Sequence, residues 1–318
     1  MKLLITRPLP KPVLEAARQG FDVSVRQSTD PMSEAEMTEA LATQDIILPT
    51  LGDRFSADIL SAVPAPRTRL LANFGVGYNH IDTGAARAAG IAVTNTPGAV
   101  TDATADIALT LMLMSARRAA EGERLVRSGQ WRGWHPTQML GLHLSGKVLG
   151  VIGMGRIGQA IAKRAHFGFG MAVVYHTRTP RPLPVLPDAR ALPSLHEVMA
   201  AADIVVVAAP ATPETRHMID AAALDAMQPH AHLVNIARGD IIDEAALIAA
   251  LQQGRIGGAG LDVYENEPEV PEALRNLDNV VLLPHLGTAA LEVRVEMGLM
   301  ALENAIAHRD GRALPNPV

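Results

Sequence analysis

The chain has 318 residues, room for one large or two medium domains, and is 48% hydrophobic but only 3% aromatic, a composition suited to helices packed on a buried sheet. A net charge of −5, with no basic run of five or more, argues against nucleic acid and anionic membrane surfaces as partners. The absence of cysteine removes disulfides, thiolate catalysis and cysteine-ligated zinc.

The opening segment, MKLLITRPLP, has too short an apolar run for a signal peptide. The longest apolar stretch, IALTLMLM at 107–114, falls well below the ~18 residues a bilayer span needs, so a cytoplasmic protein is expected. In the first hundred residues the short β-rich runs LLIT, FDVSV, DIILPT, RLLANFG and IAVTNTP alternate with Ala/Glu/Met-rich helical segments such as SEAEMTEALATQ. From Thr101 a helical pattern runs unbroken to Ser128; it opens on the capping residues Thr101 and Asp102 and stops before Gly129. As one helix it would reach roughly 40 Å, enough to bridge two domains or two subunits.

A second series follows: KVLGVIG, MAVVYHT, DIVVVAAP, HLVNIAR, GGAGLDV and NVVLLPH. These near-continuous apolar runs suit parallel strands covered on both faces. The segment TAALEVRVEMGLMALENAIAHRD is helical and is expected to return to the first domain. The pattern predicts an α/β protein of two Rossmann-like domains with parallel sheets: residues 1–98 plus 286–318 (flavodoxin-like, substrate-binding) and residues 99–285 (dinucleotide-binding), with the active site in the cleft between them.

GVIGMGRIGQAIAKRA places Gly153, Gly155 and Gly158 in G-x-G-x-x-G between a strand and a helix. The first glycine permits the turn, the second lets backbone approach a pyrophosphate, and the third lets helix pack on strand. Arg156, inside the turn, can reach a phosphate; the plainer alternative is a solvated side chain. A dinucleotide-binding chain ordinarily carries a ribose-binding acid at the end of the next strand. Here that strand ends in His176, Thr177 and Arg178, with Arg181 following and no acid before Asp188. That exchange favours a 2′-phosphate, hence NADPH over a possible NADH.

Three strand ends carry polar side chains where open parallel sheets bind ligands. LVNIARGD ends on Arg238, LDVYENEP holds Asp262, Glu265 and Glu267, and VLLPHLGT holds His285. Singly each has a structural reading; jointly, beside a nucleotide motif, they suit reduction of a 2-keto acid. A histidine donates the proton near neutral pH, a carboxylate orients it and favours its charged form, and an arginine grips the substrate carboxylate with a planar fork. His230 and His232, in PHAH, read as a loop rather than a metal site, and no metal is expected.

The segments NFGVGYNHID, TNTPGAVTDATAD, GMGRIGQAIAKRA, NIARGDIIDEAAL, GGAGLDVYENEP and LPHLGTAA closely resemble the D-isomer-specific 2-hydroxyacid dehydrogenase family along nearly the whole chain. The resemblance implies that Arg238 binds substrate, that His285 is the acid/base and that Glu267 is its partner; a glutamine at that last position would have suggested formate. It implies that backbone N–H groups of Val76 and Gly77 bind the substrate carboxylate. It implies further cofactor contacts at Thr104, Met154, Ile157, Pro210, Ile236, Ala237, Asp262 and Gly287. WHPTQMLGLHLSGKVLG resembles the glyoxylate/hydroxypyruvate reductase branch, in which a loop tryptophan, here Trp134, reaches the neighbouring subunit's active site. A homodimer built on the 101–128 helix and the Trp131–Trp134 loop is the expected assembly. Leu51, in LGDR, is expected to line the pocket. The rival readings are D-3-phosphoglycerate dehydrogenase, which would want further cations, and a nucleotide-sensing corepressor that binds partner peptides.

Overall fold

Alternation of strands and helices builds two parallel sheets in the computed structural model, which describes residues 1–180 and 182–318. The chain divides into two units, Met1–Val100 with Thr288–Val318, and Thr101–Gly287.

In the first unit β1 (Lys2–Ile5), β2 (Asp22–Val25), β3 (Ile46–Leu48), β4 (Leu70–Ala72) and β5 (Ala92–Thr94) lie in the order β2-β1-β3-β4-β5, every pairing parallel. This is the flavodoxin-like order. The helix Leu291–Arg309 belongs to this unit and packs on the helix Lys11–Gly20. Gly298 permits the approach: a β-carbon there would sit 2.5 Å from the Val13 side chain.

The second unit holds β6 (Val148–Ile152), β7 (Ala172–His176), β8 (Arg190–Ala191), β9 (Ile204–Val207), β10 (His232–Asn235), β11 (Gly258–Leu261) and β12 (Val280–Leu282). Their order is β12-β11-β10-β9-β6-β7-β8, again parallel, with the reversal of chain direction across the sheet between β6 and β9. Both faces are buried, which is why these strands read as continuous apolar runs. Along β9, Ile204 and Val206 join the core on one face, and Val205 and Val207 join the core on the other. The two-residue edge strand β8, in RALP, was not legible as a strand.

The helical stretch after Thr101 is not one helix. It splits into Thr101–Ala116 and Ala119–Arg127, with Arg118 in the left-handed region at φ +52°. The cause is the returning chain: Leu142 N–H donates to the Ala116 carbonyl at 2.7 Å, taking an acceptor that a continuing helix would use. Gly141 is required for that approach, since a β-carbon would lie 2.4 Å from the same oxygen. Among the described residues no helix is long and apolar enough to cross a membrane.

Candidate active site

The glycine-rich turn leaves the carboxyl end of β6 beside β9, the position at which open parallel sheets bind ligands. Gly153 is in the left-handed region at φ +97°, and a β-carbon there would strike the Ala209 backbone at 2.6 Å. Gly158 seats the helix Arg156–Phe169 on the turn, where a β-carbon would lie 2.2 Å from the Gly153 carbonyl oxygen. Gly155 differs: it caps that helix, no side chain bonds the first turn, and a β-carbon would meet nothing within 4 Å. Unpaired N–H groups at the start of a fourteen-residue helix, under open space, fit a pyrophosphate. Arg156 beside them is exposed; Met154 is buried and Ile157 half-buried.

At the end of β7, His176 and Thr177 are half-buried and Arg178 is exposed. The His176 ring pairs through Nδ1 with the Leu192 carbonyl at 3.2 Å, so its other nitrogen is the one left for a ligand. Arg181 lies outside the described residues. An acid that the local sequence does not show is nevertheless near: Glu214, on the turn Pro213–Thr215, has its carboxyl held below the usual range by the Thr212 hydroxyl, its own backbone N–H and the charge of Arg178. Pro210 on the same loop is exposed.

The polar residues of β10, β11 and β12 do converge. His285 Nδ1 lies 2.9 Å from Glu267 Oε2, and Glu267 Oε1 accepts the Tyr264 N–H at 3.0 Å. Burial alone would raise the Glu267 carboxyl; the hydrogen bond and charge of His285, the Tyr264 N–H and the charge of Arg238 outweigh it and hold the group below the usual carboxylate range. Burial draws the Arg238 guanidinium down, against the charges of Glu267 and Asp240. Arg238 Nη1 donates to the Ala237 carbonyl at 2.7 Å. Its turn is braced by Asn235, whose amide donates to the Arg238 carbonyl and accepts the Ala237 N–H.

His285 sits in the left-handed region at φ +54°, uncommon for a residue with a β-carbon. Asp262 supplies the restraint. Its carbonyl accepts the His285 N–H at 2.9 Å, and its carboxylate accepts Leu286 N–H at 2.6 Å and Gly287 N–H at 2.8 Å. Asp262 is 1% exposed, and burial raises its carboxyl more than those two amides lower it. The Thr104 hydroxyl donates to the Gly287 carbonyl at 3.1 Å. Thus Asp262, Thr104 and Gly287, expected from the sequence as cofactor contacts, form the frame of the histidine turn. Ile236 is buried and Ala237 half-buried on the turn leading to Arg238.

In the first unit, the turn after β4 leaves the amides of Val76 and Gly77 unspent. The carbonyls of Gly75 and Gly77 accept from Asn73 Nδ2, and that of Val76 accepts from Asn95 Nδ2. Among the described residues the N–H groups of Val76 and Gly77 have no hydrogen-bond partner. Leu51, after β3, is 39% exposed, and Trp134 of the second unit is 79% exposed.

Sequence reasoning passed over several residues of this framework. Tyr264 anchors Glu267 through its N–H and the Leu283 carbonyl through its hydroxyl at 2.8 Å. Gly239 lets the Arg238 turn lie on the Tyr264–Glu265 backbone, where a β-carbon would sit 1.8 Å from the Tyr264 carbonyl carbon. A glycine directly after a strand-end arginine was the available signal. His232 is no loop residue: it opens β10, 8% exposed, with its ring bonded to the Ser115 hydroxyl at 2.7 Å.

Residues 109–287 match the family model for the D-isomer specific 2-hydroxyacid dehydrogenase, NAD binding domain. A glyoxylate reductase of Thermococcus onnurineus is 42% identical over 100% of this chain and 95% of its own length. The chain belongs to the D-isomer-specific 2-hydroxyacid dehydrogenase family. Among solved structures, an NADPH-dependent glyoxylate/hydroxypyruvate reductase from Sinorhizobium meliloti, in complex with NADP and malonate, superposes with a TM-score of 0.88 at 37% identity, covering 100% of this chain and 96% of that one. A glyoxylate reductase from Paecilomyes thermophila gives 0.89 at 33% identity, covering 100% and 98%. This family member is therefore an oxidoreductase that reduces keto acids to 2-hydroxy acids with a nicotinamide cofactor.

Proposed function

We propose that this dehydrogenase reduces small 2-keto acids, glyoxylate or hydroxypyruvate foremost, to the D-2-hydroxy acid, with NADPH as the preferred cofactor. The observation that carries the chemistry is the 2.9 Å contact between His285 and a Glu267 held anionic beside Arg238. With Nδ1 committed to Glu267, Nε2 of His285 is the atom that delivers a proton to the substrate carbonyl oxygen. Arg238 grips the carboxylate and polarises the carbonyl; the unspent Val76 and Gly77 amides of the first unit are of the kind that binds a carboxylate. The bound cofactor supplies the hydride to the carbonyl carbon.

The NADPH preference rests on a β7 end with Thr177 and Arg178 where an acid would repel a 2′-phosphate. A charge-assisted contact is worth roughly 1.5–3 kcal/mol, about ten- to a hundredfold in affinity. A keto-acid panel run with NADPH and with NADH, in wild type and in Arg178→Ala/Arg181→Ala, tests both halves. Wild type should favour NADPH and the double variant should lose most of that preference. A wild type that favours NADH removes the assignment.

We also propose a homodimer formed by the second unit. Leu113, Val126, Trp131, Trp134 and Leu140 expose between 37% and 79% of their surface along the two helices after Thr101 and the following loop. Covering such exposed apolar side chains is a reason to associate, and the role assigned to Trp134 in that dimer is to reach the neighbouring subunit's site. Sedimentation at micromolar concentration should give a dimer; a species of monomer mass alone would refute it.

A further inference from the structure

Asp53 has no exposed surface, yet it is a carboxylate in the loop that carries Leu51. Burying such a charge is costly unless each oxygen finds donors. Here Oδ2 accepts the Thr6 hydroxyl at 2.5 Å, the Thr50 N–H at 2.9 Å and the Thr50 hydroxyl at 3.1 Å. Oδ1 accepts the Met32 N–H at 3.1 Å, and Arg7 Nη2 stands 3.5 Å away. One carboxylate thus ties the loops after β1, β2 and β3 at the carboxyl edge of the five-stranded sheet.

Arg7 completes the tie. Its Nε donates to the Thr29 carbonyl at 2.8 Å, and Nη1 donates to the Thr50 hydroxyl and to the Leu51 carbonyl, the latter at 2.5 Å. The side chain is 16% exposed, so its donors are spent on loops rather than held out for a substrate. Gly52 shows how closely the turn is drawn in: its φ is +101°, and a β-carbon would lie 3.1 Å from Arg7 Nη2. The one large apolar side chain these bonds leave outward is Leu51, 39% exposed.

We propose that Arg7 and Asp53 are positioning residues that fix the Leu51 turn, and through it set which 2-keto acid side chains the enzyme accepts. This rests on the keto-acid reading above. Arg7 touches no reacting atom; its effect is on selectivity, not on the proton or hydride. A misplacement of about an ångström in a positioning group can change rates by up to a hundredfold, so the selectivity effect should reach about tenfold.

The test measures kcat and KM on keto acids whose side chain grows from hydrogen through hydroxymethyl to benzyl, for wild type, Arg7→Ala, Leu51→Ala and the double variant. Arg7→Ala should change the ratio of kcat/KM across the panel by about tenfold, mostly through KM. The double variant should fall well short of the product of the single effects, because both act on one turn. Arg7→Lys keeps the charge toward Asp53 but cannot serve Thr29, Thr50 and Leu51 together, so it should shift the ratio by less; it also replaces Arg7→Ala should that variant not fold. Amide hydrogen exchange at residues 50–53, read without substrate, should accelerate in the Arg7 variant while the β4 amides stay protected. A panel scaled uniformly, multiplicative effects, or unchanged exchange at 50–53 would each overturn the positioning role. A wild type inactive on the entire panel would instead overturn the keto-acid reading itself.

Discussion

At the scale of single residues, the histidine turn shows how a fold holds an uncommon backbone conformation where chemistry needs it. His285 at φ +54° is kept by Asp262, which takes its N–H on the main chain and the next two N–H groups on the side chain. That over-determination aims the ring at Glu267. His285→Ala should leave dinucleotide binding nearly intact, read by cofactor fluorescence, and lower kcat by about 10²–10⁴-fold, the usual worth of a positioned general acid. Glu267→Gln removes an anion that the site holds ionised well into the acid range. The ring then loses its anionic partner, so kcat should fall about tenfold or more while cofactor binding is kept; a kcat that matches wild type would disprove the pairing. The types and order of Arg238, Glu267 and His285 were legible because each follows an apolar strand. The Asp262 frame was not, since an acid after a strand reads equally well as a ligand.

At the scale of elements, close approach decides what propensity leaves open. The pattern from 101 to 128 is helical throughout, and only the docking of Gly141 and Leu142 on Ala116 breaks it. A chain segment distant in sequence supplied the interruption, so periodicity within the stretch carried no sign of it. The Arg238 turn depends on approach in the same way. Gly239→Ala would place a methyl within 1.8 Å of backbone, which cannot yield as a side-chain tip could. We expect it to displace the turn from Tyr264, costing about 1–3 kcal/mol or more as overpacking does. Thermal unfolding should show a lowered Tm, and kcat/KM should fall because Arg238 and Glu267 move with the turn. A variant matching wild type in both would show that the turn has room to spare.

At the scale of the whole molecule, stability should depend on pH through a histidine far from the chemistry. His232, bonded to Ser115 at the amino end of β10, is lowered from 6.5 to about 4, chiefly by burial with a smaller contribution from the charge of His230. Its folded form is neutral while the unfolded chain takes up a proton below about 6.5, so its contribution is fully present above that pH. The contribution is lost as pH falls from 6.5 toward 4 and amounts to the order of 3 kcal/mol. Urea unfolding of wild type should weaken over that window, and His232→Asn, which can still bond Ser115, should flatten the slope; equal slopes would remove His232 as the cause. The architecture itself was largely readable from residue order. Buried parallel strands must be apolar on both faces, so the runs from KVLGVIG to NVVLLPH announced a doubly covered sheet. A glycine turn between strand and helix has few uses beyond an anion, so the cofactor class was legible too. What the sequence alone could not decide depends on contacts across long separations. Glu214 beside Arg178, Gly141 against Ala116, and Arg7 and Asp53 beneath Leu51 join residues that share no local pattern. Hydrophobic periodicity encodes which face is buried, whereas the partner of a particular buried polar group is chosen only when the chain has folded.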